Sequence, residues 1–167
     1  MDRQEQIEML LDHYEHPRHR HADEGADVVM PGGNPGCGDV ITVYLTVDED
    51  GKSVKDVSFV GEGCTISQAA ASILMEMIHD EKWDLDTIVN TDYHAMMDIL
   101  GAEAVQSRPK CATLALGTLK AAVQKYLRDR MLADARLDAI EAENEEMGIV
   151  TGEAALEQAD DEAARSH

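Results

Sequence analysis

The chain has 167 residues, 34 of them acidic and 14 basic, a net charge of −20, and 44% hydrophobic residues. That length and apolar content suit one compact domain with a tail and exclude two large domains. Negative charge in this excess repels phosphate backbones and anionic headgroups, which excludes nucleic acid and membrane surfaces as general partners and favours a basic protein or a salty medium.

The first element is a helix over 3–15, because Ile7, Leu10, Leu11 and Tyr14 form one apolar stripe that Pro17 ends after His16. Val28 to Met30 read as a short strand. Ile41, Val43, Leu45 and Val47 alternate with Thr42, Tyr44 and Thr46, the period of a half-buried strand. The turn Asp48-Glu49-Asp50-Gly51 leads into a second strand over 54–60, so the two make a hairpin. Helical spacing resumes at Ile66, Ala69, Ala70, Ile73 and Met77, with Thr65-Ile66-Ser67-Gln68 in the form of a capping box. That helix covers about 66–80. Two shorter helices follow over 85–89 and 93–100. A long last helix starts near Pro109, where a first turn tolerates proline, and reaches 146. Strands grouped together and helices grouped after them define an α+β fold: a small antiparallel three-stranded sheet covered by helices, with a long C-terminal helix.

Acid is concentrated at the end, with 12 Asp/Glu against 3 Lys/Arg in residues 129–167. From Gly148 on, apolar residues are too few to offset the entropy of ordering. The reading is a domain over 1–147 and an acidic disordered tail over 148–167. No apolar run approaches the roughly 18 residues of a membrane span. The start, Met1-Asp2-Arg3-Gln4-Glu5, has no signal-type core. A cytoplasmic location is expected.

Three cysteines in such a chain argue for thiol or metal chemistry rather than a disulfide framework. Cys37 lies in Gly32-Gly33-Asn34-Pro35-Gly36-Cys37-Gly38-Asp39, read as an irregular loop before a strand. Cys64 follows Gly61-Glu62-Gly63 at the start of the second helix, and Cys111 falls in the first turn of the last one. Helix N-termini favour the thiolate. Asp39 adds a carboxylate two residues after Cys37. The competing reading is that each cysteine is a small core residue, since free cysteine is usually buried and these separations match no zinc finger. His13, His16, His19 and His21 read as solvated at the end of the first helix. Met75, Met77, Met96 and Met97 read as core filler, and Glu141 to Glu146 as a solvated helix face.

Four motifs, three of them carrying one cysteine each, bear a family resemblance over about residues 7–127. His13-Tyr14 with Pro17-Arg18, Asn34-Pro35-Gly36-Cys37-Gly38-Asp39, and Gly61-Glu62-Gly63-Cys64-Thr65-Ile66-Ser67 resemble the IscU/SufU/NifU N-terminal family of iron-sulfur cluster assembly proteins. Arg108-Pro109-Lys110-Cys111-Ala112-Thr113-Leu114 is similar to the SufU-type third motif, with Lys110 where IscU-type members carry histidine. The 46 residues between Cys64 and Cys111 are closer to the short IscU-type spacing, and the Leu-Pro-Pro-Val-Lys chaperone motif is missing, so the subtype stays open.

The resemblance implies a SufE/NifU-like fold and two functions. In the first, Cys37, Cys64 and Cys111 with Asp39 hold iron and a transient iron-sulfur cluster, built from persulfide sulfur delivered by a cysteine desulfurase. In the second, the same four residues bind zinc and one cysteine, Cys111, accepts sulfur for relay to a separate scaffold or apo iron-sulfur proteins. Cys111 is favoured because a first helical turn is expected to leave it nearest an approaching loop. Arg108 is expected to hydrogen-bond Asp39 or a thiolate. A third reading is a small protein-binding module with structural zinc.

Overall fold

A computed structural model describes residues 2–34 and 38–148. The chain runs α1 (Arg3–Glu15), β1 (Val28–Asn34), β2 (Asp39–Val47), β3 (Val54–Glu62), α2 (Thr65–Glu81), α3 (Leu85–Asn90), α4 (Tyr93–Leu100), α5 (Ala102–Val105) and α6 (Pro109–Glu146). The strands form one antiparallel sheet in the order β1-β2-β3. The α+β reading, with three antiparallel strands, helices and a long last helix, matches this architecture. The short α5 has no apolar period of its own and was not expected.

Alternation along β2 decides where the site lies. Asp39, Ile41, Val43, Leu45 and Val47 are buried, while the residues between them are exposed or half-buried. Asp39 therefore shares the core face with four aliphatic side chains. Against that face packs a core drawn largely from α2 and from the stripe Cys111, Ala112, Ala115, Leu116, Leu119, Ala122 and Val123 of α6. Met75 and Met96 are fully buried and Met77 and Met97 partly so, as core filler.

β1 is longer than its apolar residues indicate, which corrects the loop reading of Gly32 to Asn34. Gly32, Gly33 and Asn34 pair with Ile41, Val40 and Asp39. Pro31 is accommodated because β1 is an edge strand, where a missing N–H breaks no ladder. Gly32 admits α6: a Cβ there would collide with the Thr118 side chain.

The chain divides into two units, 1–126 and 127–167. The first holds the sheet, α1 to α5 and the start of α6. The second holds the rest of α6, along which Met131, Leu132, Leu137 and Ile140 are exposed. The acidic run from Glu141 to Glu146 is solvated apart from a half-buried Asn144. The tail beyond Gly148 lies outside the described residues. No helix among the described residues is long and apolar enough to cross a membrane.

Candidate metal and thiol site

Three elements bring Asp39, Cys64 and Cys111 together. Asp39 opens β2 on the core face, Cys64 is the N-cap of α2, and Cys111 is the third residue of α6. One carboxylate oxygen and both sulfurs lie within 4.8 Å of one another. Cys37 lies outside the described residues.

Hydrogen bonds fix the carboxylate. Oδ1 of Asp39 accepts the backbone N–H of Cys64 at 2.8 Å, and Oδ2 accepts the Cys111 thiol at 2.8 Å with Cys64 Sγ 3.8 Å away. Gly63 makes the close approach possible. Its φ of +154° is one that residues with a Cβ rarely adopt, and an added Cβ would strike the Asp39 carboxylate and the Ser67 hydroxyl. Asp39 is 1% exposed. Burial pushes its carboxyl up, but the hydrogen bonds from Cys111, Cys64 and Ser67 outweigh it and hold the group below the usual 3.8.

Cys64 corrects the expected capping box. Thr65 is already helical, and the Cys64 side chain itself accepts the Ser67 N–H at 3.5 Å, while the Ser67 hydroxyl donates to the Cys64 carbonyl at 3.0 Å. A sulfur thus takes the place that a serine or aspartate oxygen usually fills. Burial opposes ionisation of this thiol, yet the Ser67 backbone and hydroxyl hydrogen bonds bring it below the ordinary thiol value. Cys111 has the opposite bias. It is 1% exposed, and burial, its bond to Asp39 and the neighbouring Cys64 all push its thiol strongly up. Of the two, Cys64 is the half-exposed thiol. The expectation that Cys111 stands nearest an approaching loop is therefore corrected: the third residue of this helix faces the core.

Arg108 lies on the exposed rim, with its positive charge favoured by hydrogen bonding to Cys64 and by the charges of Cys64 and Cys111. Lys110 is exposed, and its carbonyl accepts the Asn34 side-chain amide at 3.1 Å, tying the end of β1 to the start of α6. Asn34, Gly63 and Ser67 were quoted in the sequence only as parts of motifs. The Gly-x-Gly run before Cys64 was the available signal for close packing.

The histidines depart from the solvated reading. His13 is buried, 2.8 Å from the Ser72 hydroxyl through Nδ1, and the same hydroxyl accepts the Arg18 N–H at 2.8 Å. His19 is half-buried and stacks on His79, centroids 3.7 Å apart. Of the four, His16 and His21 are exposed.

Two soft thiols and one carboxylate, all on short reaches from rigid elements, form a set that suits zinc or iron. The fold and this site belong to one family: the NifU-like N terminal domain matches residues 5–133, and the chain is a member of that family. Over 135 residues it is 33% identical to the zinc-dependent sulfurtransferase SufU of Bacillus subtilis (strain 168), covering 71% of this chain and 88% of that protein. It is 36% identical over 135 residues to the iron-sulfur cluster assembly scaffold protein IscU of Thermotoga maritima, covering 72% of this chain and 94% of that one. In fold it is similar to a nitrogen-fixing NifU-like protein (N-terminal) from Brucella abortus, with a TM-score of 0.60 at 17% identity over 72% of this chain and 92% of the other.

Proposed function

We propose that this protein is an iron-sulfur cluster assembly scaffold that takes persulfide sulfur from a cysteine desulfurase and holds iron and a transient cluster on Cys37, Cys64, Cys111 and Asp39. The observation that carries the reading is the convergence of the Asp39 carboxylate with two sulfurs within 4.8 Å. Iron and the nascent cluster are cargo. Soft thiolates suit them, and a hard carboxylate beside the thiolates makes the holding set easy to leave.

Cys111 is the proposed sulfur acceptor, and Asp39 holds it at rest. With Oδ2 at 2.8 Å from the Cys111 sulfur, the carboxylate accepts the thiol's hydrogen bond and favours its protonated form, so the thiol gives its proton to solvent once this contact opens to the partner. The freed thiolate attacks the outer sulfur of the donor's persulfide. The donor S–S bond breaks, a persulfide forms on Cys111, and the donor cysteine leaves as a thiolate. No oxidant or reductant is consumed. Because Cys111 is buried, delivery requires the start of α6 to yield to the partner, and half-exposed Cys64 is the competing acceptor.

A second reading, zinc-dependent sulfur transfer to a separate scaffold, is favoured by the similarity to SufU and by Lys110, which supplies no imidazole and leaves Asp39 as the fourth donor. Zinc held by the same four residues would keep the thiols deprotonated at neutral pH. Either way the downstream partners are a scaffold or apo iron-sulfur proteins. A cytoplasmic setting fits, since its redox poise keeps thiols reduced.

The test is anaerobic purification with metal analysis, followed by absorption spectra before and after adding desulfurase, cysteine and ferrous iron. A sulfur-to-iron charge-transfer band supports the scaffold. Stoichiometric zinc without a chromophore supports sulfur transfer. Mass spectrometry of the cysteine peptides then shows which thiol carries the added sulfur.

A further inference from the structure

From residue 133, where the family match ends, α6 continues as a helix with exposed apolar residues. Ala133, Leu137, Ile140, Asn144 and Met147 recur at steps of four, three, four and three, which sets them on one face. Leu137 is 57%, Ile140 52% and Met147 77% exposed, and Asn144 is half-buried. Met131 and Leu132 are also exposed but fall outside this stripe. The charge around it is one-sided. Residues 133–147 hold six acids, Asp134, Asp138, Glu141, Glu143, Glu145 and Glu146, against Arg136 alone, and all seven are exposed. Asp134 and Asp138, like Glu141 and Glu145, are like-charged pairs four residues apart. The last turn has no basic side chain and sets Glu143, Glu145 and Glu146 against the negative end of the helix dipole. Such a helix gains most from a cover that supplies both apolar surface and positive charge.

We propose that this face docks a cationic amphipathic helix of a partner protein, apolar stripe against apolar stripe, with lysine or arginine along both flanks. Steps of four and three are the spacing at which two helices interdigitate along a shared seam. The positions beside the seam, Asp134, Arg136, Glu141 and Glu143, are three acids to one base, and positions of this kind set the choice of partner. Asn144 lies within the seam and favours a polar side chain opposite, which fixes the register. Charge decides against the other occupants. A second copy brings the same six acids to the same face, and residues 149–167 bring five acids and one arginine. Nucleic acid and anionic lipid bring phosphates. The inference stands on α6 alone and is independent of the function proposed above.

The experiment titrates the isotope-labelled full chain with a capped peptide of three Ile-Ala-Ala-Leu-Lys-Gln-Lys heptads, whose lysines keep it from pairing with itself. The methyl signals of Leu137 and Ile140 should shift saturably, and Leu137→Gln combined with Ile140→Gln should weaken binding about tenfold or more through lost apolar contact. Glu141→Lys combined with Glu143→Lys relieves the dipole, so it cannot act by melting the helix, and it should weaken binding as well. The peptide with glutamate in place of lysine should not bind, and added salt should loosen the lysine peptide. Fixed methyl signals, undiminished binding by both double variants, or equal binding of the glutamate peptide overturns the proposal. A wild type that sediments as a dimer, dispersed by Leu137→Gln with Ile140→Gln, makes a second copy the occupant and overturns it too. Leu137 and Ile140 signals that move when the chain is cut after Gly148 do the same for residues 149–167. In a second arm, full-length protein with Ile140→p-benzoylphenylalanine is irradiated in cells of its source. The cross-linked segment should itself carry apolar residues three and four apart among lysines and arginines. A cross-link to an acidic segment, to this chain or to nothing overturns the proposed partner.

Discussion

Asp39 is the residue on which the site turns, because it accepts from both cysteines at once. Its oxygen suits zinc but matches poorly with a cluster held otherwise by thiolates. Asp39→Ala should therefore lower zinc retention and lengthen the life of any assembled cluster, measured by metal analysis and by decay of the cluster absorption under an apo acceptor. Equal lifetimes would remove Asp39 from the coordination sphere. Gly63 gives a second test. Gly63→Ala places a methyl against the carboxylate at a φ unfavourable to alanine, so it should cost about 1–3 kcal/mol in denaturant unfolding and reduce metal retention. A variant as stable as wild type, with full metal, would show that the carboxylate has room to move.

At the level of elements, the join between α1 and α2 depends on Ser72. Its hydroxyl contacts His13 Nδ1 and accepts the Arg18 N–H, while Arg18 also pairs with Asp12 at 2.7 Å and Glu76 at 3.3 Å. Ser72→Ala leaves two groups unpaired and should destabilise the fold by about 1–3 kcal/mol, read from urea unfolding midpoints. The same join sets a pH dependence. Burial first, then the charge of Arg18, lowers the pKa of His13 from 6.5, with Glu76 and Asp12 opposing. Burial and then His79 lower that of His19 in the same way. Folding therefore favours the neutral rings, and the unfolded chain binds more protons once the pH falls below about 6.5. The stabilisation is complete above that pH and is lost as the pH drops through the folded values. Carboxylates held low, such as Asp12 and Asp39, act only below about pH 4. The thermal midpoint should fall between about pH 7 and about pH 5, and His13→Gln should reduce the slope. An identical slope in the variant would assign the dependence to other groups.

For the whole molecule, charge is the governing quantity. A net charge of −20 produces self-repulsion that salt screens, with a Debye length of about 3 Å at molar ionic strength. Stability should rise along a salt series. Residues 148–167, read from composition as an acidic tail, carry too little apolar surface to add to the core. Deleting them should leave both the unfolding midpoint and the metal content unchanged. A midpoint lowered at every salt concentration would show that the segment packs on the domain and that its boundary lies elsewhere.

Periodicity alone determined β2, the centre of β3, α1 and most of α6, because a side chain's exposure repeats every two residues in a strand and about every 3.6 in a helix. The helix starts placed Cys64 and Cys111 at N-termini, whereas Asp39, read in the loop before the strand, proved to be the first residue of β2 and to share the face of Ile41. What periodicity does not encode is which turn of one element meets which turn of another. That contact made a strand of Gly32 and Gly33, whose missing side chains let Thr118 and β2 close in. It buried His13 against Ser72, 59 residues away, and turned Cys111 inward onto Asp39, 72 residues away. It also enclosed the Gln68 carboxamide without a hydrogen-bond partner among the described residues. Local order follows from near neighbours in sequence, whereas these burials depend on close packing between distant segments, which only the assembled tertiary structure decides.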